Sequence, residues 1–284
     1  MIDLRLLYAV VKKEFLDSLR SKWILGASVI FLLLALVVSY FGAASSGGGV
    51  GLQGFRETAL GMGAIAAILV PIIALMLGYA AIAGEREQGS LGLLLSTPLT
   101  RAELLLGKFL GLSAVLATSI LVGWGIAGGV VAAVAGTAYW DAYLAVLGAA
   151  ILLGTSFLSV SILLSSLLQK RSSALGVAVF LWFFFFLIWN FILFGLYVGT
   201  GGELPRPGPG GMSLTLPDWY YGANLGNPGE AFQYFASVAF GIRSAGFGDE
   251  FPSFVTAGTT AVSLLAWTTV PLGLAYLRFR SRDV

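Results

Sequence analysis

The chain has 284 residues, 58% of them apolar and 11% charged, with a net charge of +2 and a mean hydropathy of +0.91. Soluble domains carry about 25% charged residues, and the apolar runs here are of helix length, so the composition defines an all-α membrane protein rather than a soluble domain or a β-barrel. With neither Cys nor His, it excludes disulfides, thiol chemistry, Cys/His zinc sites and histidine-based catalysis.

Residues 3–22 read as an amphipathic helix, with Leu4, Leu7, Tyr8, Val11, Phe15 and Leu19 at three- and four-residue spacing. Such a helix lies along a leaflet with Lys12, Lys13 and Arg20 near the head groups. Six spans follow, at about 23–41, 59–82, 109–135, 142–167, 174–198 and 254–277, and none contains Asp, Glu, Lys or Arg. The first has too long an apolar core and too extended a charged leader for a signal peptide. Six spans place both termini on one side. Of the 16 basic residues, 13 fall on that side; Arg56, Arg206 and Arg243 fall opposite. The bias predicts cytoplasmic termini and a multi-pass protein of the cell membrane.

The first outer loop is glycine-rich around Ser45–Gly49 and reads as flexible. Pro71 in span two and Pro271 in span six each remove one helix hydrogen bond. Between spans two and three lies an unusual inner loop, residues 84–108. It opens with Glu85, Arg86 and Glu87, turns at Gly89, and offers Ser90 as the cap of a short helix carrying Leu91, Leu94 and Leu95 along one side. Pro98 ends that helix, and Thr100-Arg101-Ala102-Glu103 matches a capping box that starts the next. A leucine-rich helix between two spans needs either the lipid surface or a partner protein to bury it. Glu85 and Glu87 read as partly solvated charges, so reversing either is expected to do less than burying a charge at Leu94.

Small residues recur four apart at Gly107/Gly111, Gly125/Gly129 and Gly195/Gly199, a spacing that serves close helix packing, here within one chain. Span four carries Ser156, Ser159, Ser161, Ser165 and Ser166. Span five carries Asn190 beside a run of aromatics, read as a hydrogen bond to a neighbouring helix. In the outer segment 199–253, the stretch 205–211 is rich in Pro and Gly and is expected to lack regular structure. Asn227-Pro228-Gly229-Glu230 reads as the start of an interfacial or re-entrant helix reaching about Phe240. Trp219, Tyr220, Tyr221, Phe232 and Tyr234 are the candidate surface for docking an outer partner.

Some chemistry is missing. The sequence has no G-x-x-x-x-G-K-[ST] phosphate loop and no carboxylate in a span for a proton relay. No residue is assigned as catalytic, cofactor-binding or metal-ligating. The methionines are Met1, Met62, Met76 and Met212. Met62 and Met76 lie fourteen positions apart in one span, about 21 Å by helix rise, too far to share an ion within a subunit.

Glu85-Arg86-Glu87-Gln88-Gly89-Ser90-Leu91, then Ser96-Thr97-Pro98-Leu99-Thr100-Arg101 and Leu106-Gly107-Lys108, resemble the coupling region of ABC-2 type ABC transporter permeases. Gly92 departs from the glutamate that many members place there. Within that family, Phe41-Gly42-Ala43-Ala44, Ala83-Gly84-Glu85 and Leu93-Leu94-Leu95 are similar to the permeases of nitrous oxide reductase maturation. The resemblance implies a single six-span domain over residues 1–284, working beside a second copy of itself. It implies a cytoplasmic ATPase that carries ATP and Mg and docks on Glu85, Arg86, Glu87, Gly89, Ser90, Leu91, Leu94, Leu95, Pro98 and Arg101. An extracytoplasmic copper-handling protein is implied on the other side; nucleic acid is not a partner. Two other readings share these features: an ABC-2 exporter of a lipid, drug or glycan, and a membrane anchor that transports nothing.

Overall fold

A computed structural model describes residues 3–41, 55–90, 92, 98–208, 211–243 and 250–281. Among these, six helices are long and apolar enough to cross a bilayer: Trp23–Phe41, Leu60–Glu87, Arg101–Ala135, Trp140–Leu167, Arg171–Gly199 and Ala257–Arg280, called spans one to six below. The first outer loop, including Ser45–Gly49, falls outside the described residues.

The surface helix, Leu4–Arg20, starts at Asp3, whose carboxylate accepts from the Arg5 N–H. It breaks from span one at Lys22, which adopts φ +58. Its packed face is rotated from the sequence stripe. Val10, Val11, Glu14 and Ser18 turn toward the bundle, while Leu4, Tyr8 and Leu19 stay exposed. Glycines decide this. A Cβ at Gly107 would stand 2.6 Å from the Val10 Cβ, and one at Gly111 would stand 2.8 Å from the Glu14 Cβ. The Gly107/Gly111 pair therefore seats the surface helix on span three, whereas nothing approaches Gly125, Gly129, Gly195 or Gly199 within 4 Å.

Span four is the centre of the bundle. Most of it is buried, and Ser156 and Ser161 bond outward to neighbouring spans. Ser156 Oγ donates to the Leu264 carbonyl of span six at 2.9 Å, and Ser161 Oγ to the Leu75 carbonyl of span two at 2.8 Å. Tyr143 Oη donates to the Trp124 carbonyl of span three at 2.8 Å, in space that Gly128 leaves open. In an apolar core a hydroxyl without a partner is costly, so each bond fixes the register of two helices.

Span five is interrupted by a π-helical turn at Phe184–Ile188. The Phe185 carbonyl accepts from Asn227 Nδ2 at 2.8 Å. Asn227 is also the N-cap of the helix Pro228–Ala239, whose Gly229 N–H it receives at 2.9 Å. One side chain thus ties the start of that helix, called the re-entrant helix below after its sequence reading, to the middle of span five. Pro71 and Pro271 both lie inside continuous helices. The stretch expected to lack regular structure instead forms a small antiparallel hairpin, Arg206–Gly208 with Gly211–Ser213. A two-stranded ribbon has only edges, so Pro207 is tolerated there.

Candidate functional site

The start of the surface helix, the described residues of the 84–108 loop, the span four–five turn and the end of span six meet on one face. There the three charges of Glu85-Arg86-Glu87 do not point away from the bundle. Glu85 holds Lys108 Nζ of span three at 2.7 Å, and Glu14 of the surface helix holds the same ammonium at 2.7 Å. The Lys108 side chain is 4% exposed. Arg86 Nη1 donates to the Leu168 carbonyl at the end of span four, at 2.9 Å. Glu87 accepts from the Arg171 N–H at the start of span five at 2.9 Å and pairs with the Arg171 guanidinium at 3.3 Å. Arg171 Nη2 returns a bond to the Gly84 carbonyl at 3.1 Å. Three consecutive side chains therefore tie the loop to spans three, four and five.

The capping is also long-range. The short helix Ala83–Glu87 has no side-chain cap of its own. Ser165 Oγ of span four accepts from both the Ile82 and the Ala83 N–H, each at 3.0 Å. Glu87 does the same service for span five, whose N-cap residue Lys170 offers no side-chain bond.

On the far side of the loop the capping box is present. Glu103 receives the Thr100 N–H at 2.7 Å and also the Asp3 N–H of the surface helix. Arg101 Nη1 donates to the Phe279 and Arg280 carbonyls at 2.9 and 3.0 Å, closing the end of span six, with its guanidinium 5.9 Å from the Phe279 ring. Gly89 takes φ +70, which a turn there requires. Ser90 Oγ donates back to the Glu85 carbonyl at 3.2 Å. Pro98 is exposed. Leu91, Leu94 and Leu95 lie outside the described residues.

These positions revise part of the sequence reading. Glu85, Arg86 and Arg101 are half-buried and bonded within the chain. Glu85 is 15% exposed against a nearly buried Lys108. Reversing it places two ammonium groups together out of water, so the mild effect expected of Glu85→Lys is replaced by a severe one. Glu87 is 38% exposed, and the milder expectation stands there. Glu14 and Arg171 were not singled out from sequence, and Ser165 and Lys108 were named there without these roles.

The opposite face carries the re-entrant helix and the aromatics of segment 199–253. Tyr221, Phe232 and Tyr234 are buried. Tyr221 and Tyr234 form a small core with Val255, and Phe251 packs against it. Phe232 belongs instead to the main core of the bundle, and none of the three is surface-exposed. Trp219 remains exposed and Tyr220 half-buried.

A surface helix, six spans and an inter-span loop bonded to several of them describe a helical membrane protein. The family model for "ABC-2 family transporter protein" matches residues 8–284. The chain belongs to the ABC-2 family of transporter proteins. It is similar to the "Probable ABC transporter permease protein NosY" of Pseudomonas aeruginosa, 36% identical over 282 residues and 98% of each chain. To the protein of the same name from Stutzerimonas stutzeri it is 37% identical over 279 residues, 96% of this chain and 97% of the relative. It is a multi-pass permease subunit of the ABC class.

Proposed function

We propose that the chain is a force-transmitting permease: a cytoplasmic ATPase moves the 84–108 loop, and the bundle carries that movement to segment 199–253. The observation that carries this reading is the bonding of Glu85, Arg86, Glu87 and Arg101 to spans three, four, five and six. A push on a loop anchored this way is shared by the whole bundle. Leu91, Leu94 and Leu95 are the residues that meet the ATPase, which supplies ATP and Mg, and a second copy of the chain completes the pair. The similarity to proteins named NosY supports copper-enzyme maturation as the setting, with a copper-handling protein on the outer face.

In this reading copper is the partner's cargo and does not pass through the spans. Met62 is buried in the core beside Trp124, while Met76 is 46% exposed. The test is Met62→Leu with Met76→Leu, assayed for maturation of the copper enzyme in cells. Full maturation is expected; lost maturation with intact folding and ATPase coupling would overturn the mechanical role.

The orientation has its own test. A cysteine at Ser213 is expected to label with a membrane-impermeant maleimide in intact cells, and one at Ser96 is expected to label only after permeabilisation. The chain's lack of native cysteine makes the labelling clean. The reverse pattern would place the loop on the wrong side for an ATPase.

A further inference from the structure

Spans two and five enclose two cavities that lie end to end. The one beside the re-entrant helix has a volume of about 260 Å³ and is lined by Pro71, Trp182, Phe186, Asn190, Glu230 and Gln233, among others. The other, about 330 Å³, has an entirely apolar lining that includes Ile72, Met76, Leu175 and Val179, and it shares Trp182 with the first. Along both spans the residues of the second cavity continue directly from those of the first. Together they make one slot, polar at one end and apolar at the other. From Asn190 to Leu175 it extends about 22 Å by helix rise.

The polar end has a definite chemical preference. Glu230 accepts from Asn190 Nδ2 at 3.1 Å. Among the described residues no Lys or Arg pairs with it. Trp182 and Phe186 line the same cavity and are stacked with ring centroids 5.3 Å apart and planes at 7°. A carboxylate next to aromatic faces recognises an ammonium group and disfavours an anion. Burial pushes the Glu230 carboxyl up from its ordinary value, with the Asn190 bond opposing it. An arriving cation would hold the carboxylate in its charged form.

We infer that this slot binds an amphiphile with an ammonium head group, the head between Glu230 and the Trp182–Phe186 pair and the alkyl chain along the apolar groove past Met76 and Leu175. An aminophospholipid of the surrounding bilayer supplies that chemistry. The slot requires neither that the lipid be carried nor that copper maturation be the setting, so it stands apart from the force-transmitting role.

The experiment uses the full chain in dodecyl maltoside micelles and follows tryptophan fluorescence. The probes are phosphatidylethanolamine and phosphatidylglycerol, each with brominated acyl chains that quench nearby indoles. Phosphatidylethanolamine is expected to reach half-quenching at about a tenfold lower concentration, the order of a desolvated ammonium contact. Glu230→Gln removes the preference, and Trp182→Phe removes the selective component of the quenching. Free ethanolamine, which has the head group without the chain, does not displace the lipid. Equal quenching of the wild type by the two lipids overturns the proposal, and this comparison does not depend on any variant folding. An unchanged preference in Glu230→Gln, unchanged quenching in Trp182→Phe, or displacement by ethanolamine alone would overturn it too. Absence of quenching, as when a second copy covers the slot, also counts against it.

Discussion

Lys108→Met is expected to destabilise the permease by about 3–5 kcal/mol, the cost of leaving buried charge without its counter-ion. Lys108 is nearly inaccessible and is the cation between Glu14 and Glu85, each 2.7 Å away. Removing it leaves two carboxylates facing one another on different elements, and one Glu85 oxygen is already buried without a hydrogen-bond partner. Thermal unfolding in detergent measures the loss. Glu85→Lys is expected to be of comparable severity, because it replaces attraction with repulsion at the same point. The triple variant Lys108→Met, Glu14→Gln, Glu85→Gln is expected to recover most of the stability, since neutral groups of similar shape carry no such desolvation cost. Unchanged melting in Lys108→Met would show that the surface helix and the loop are not held through this ammonium.

The largest functional effect is expected from Leu94→Asp. A knob of leucines in an ATPase groove tolerates no unpaired carboxylate; burying one costs several kcal/mol, or roughly a hundredfold or more in affinity. The variant permease is expected to insert and melt like wild type, because the loop's anchors at Glu85, Arg86, Glu87 and Arg101 are untouched. The ATPase should no longer co-purify, or should run at a rate insensitive to the permease. Glu87→Lys, at a partly solvated pair, is expected to weaken coupling by far less. Normal ATPase binding and stimulation in Leu94→Asp would remove the coupling assignment.

The contrast between these two substitutions follows what the sequence makes legible. The spans are legible because twenty apolar residues in a row have one stable setting, and observed helix ends fall near the expected ones. The capping box at Thr100 and the helix start at Asn227 are legible because a cap bonds to residues two or three positions away. The rest depends on distant partners. Nothing local says that Ser165 caps a helix 82 and 83 positions earlier. Nor does anything local say that Asn227 reaches the Phe185 carbonyl of the π turn. Glu85, Arg86 and Arg101 read as charges awaiting a partner protein, because the backbone carbonyls and the ammonium that satisfy them lie in other helices. Tyr221, Phe232 and Tyr234 read as a docking face for the same reason, since aromatic residues have one composition whether they face a partner or the protein's own cores.

The central claim is that movement of the 84–108 loop reaches segment 199–253. The most direct measurement is a spin-label distance within one chain, in the assembled complex with its ATPase. Labels are placed on cysteines at Thr137, at the turn between spans three and four, and at Trp219, both exposed on the face opposite the termini. The account predicts that the distance distribution shifts between the nucleotide-free and ATP-trapped complexes, and that Leu94→Asp abolishes the shift. Identical distributions in the two states, in a complex that hydrolyses ATP normally, would contradict it.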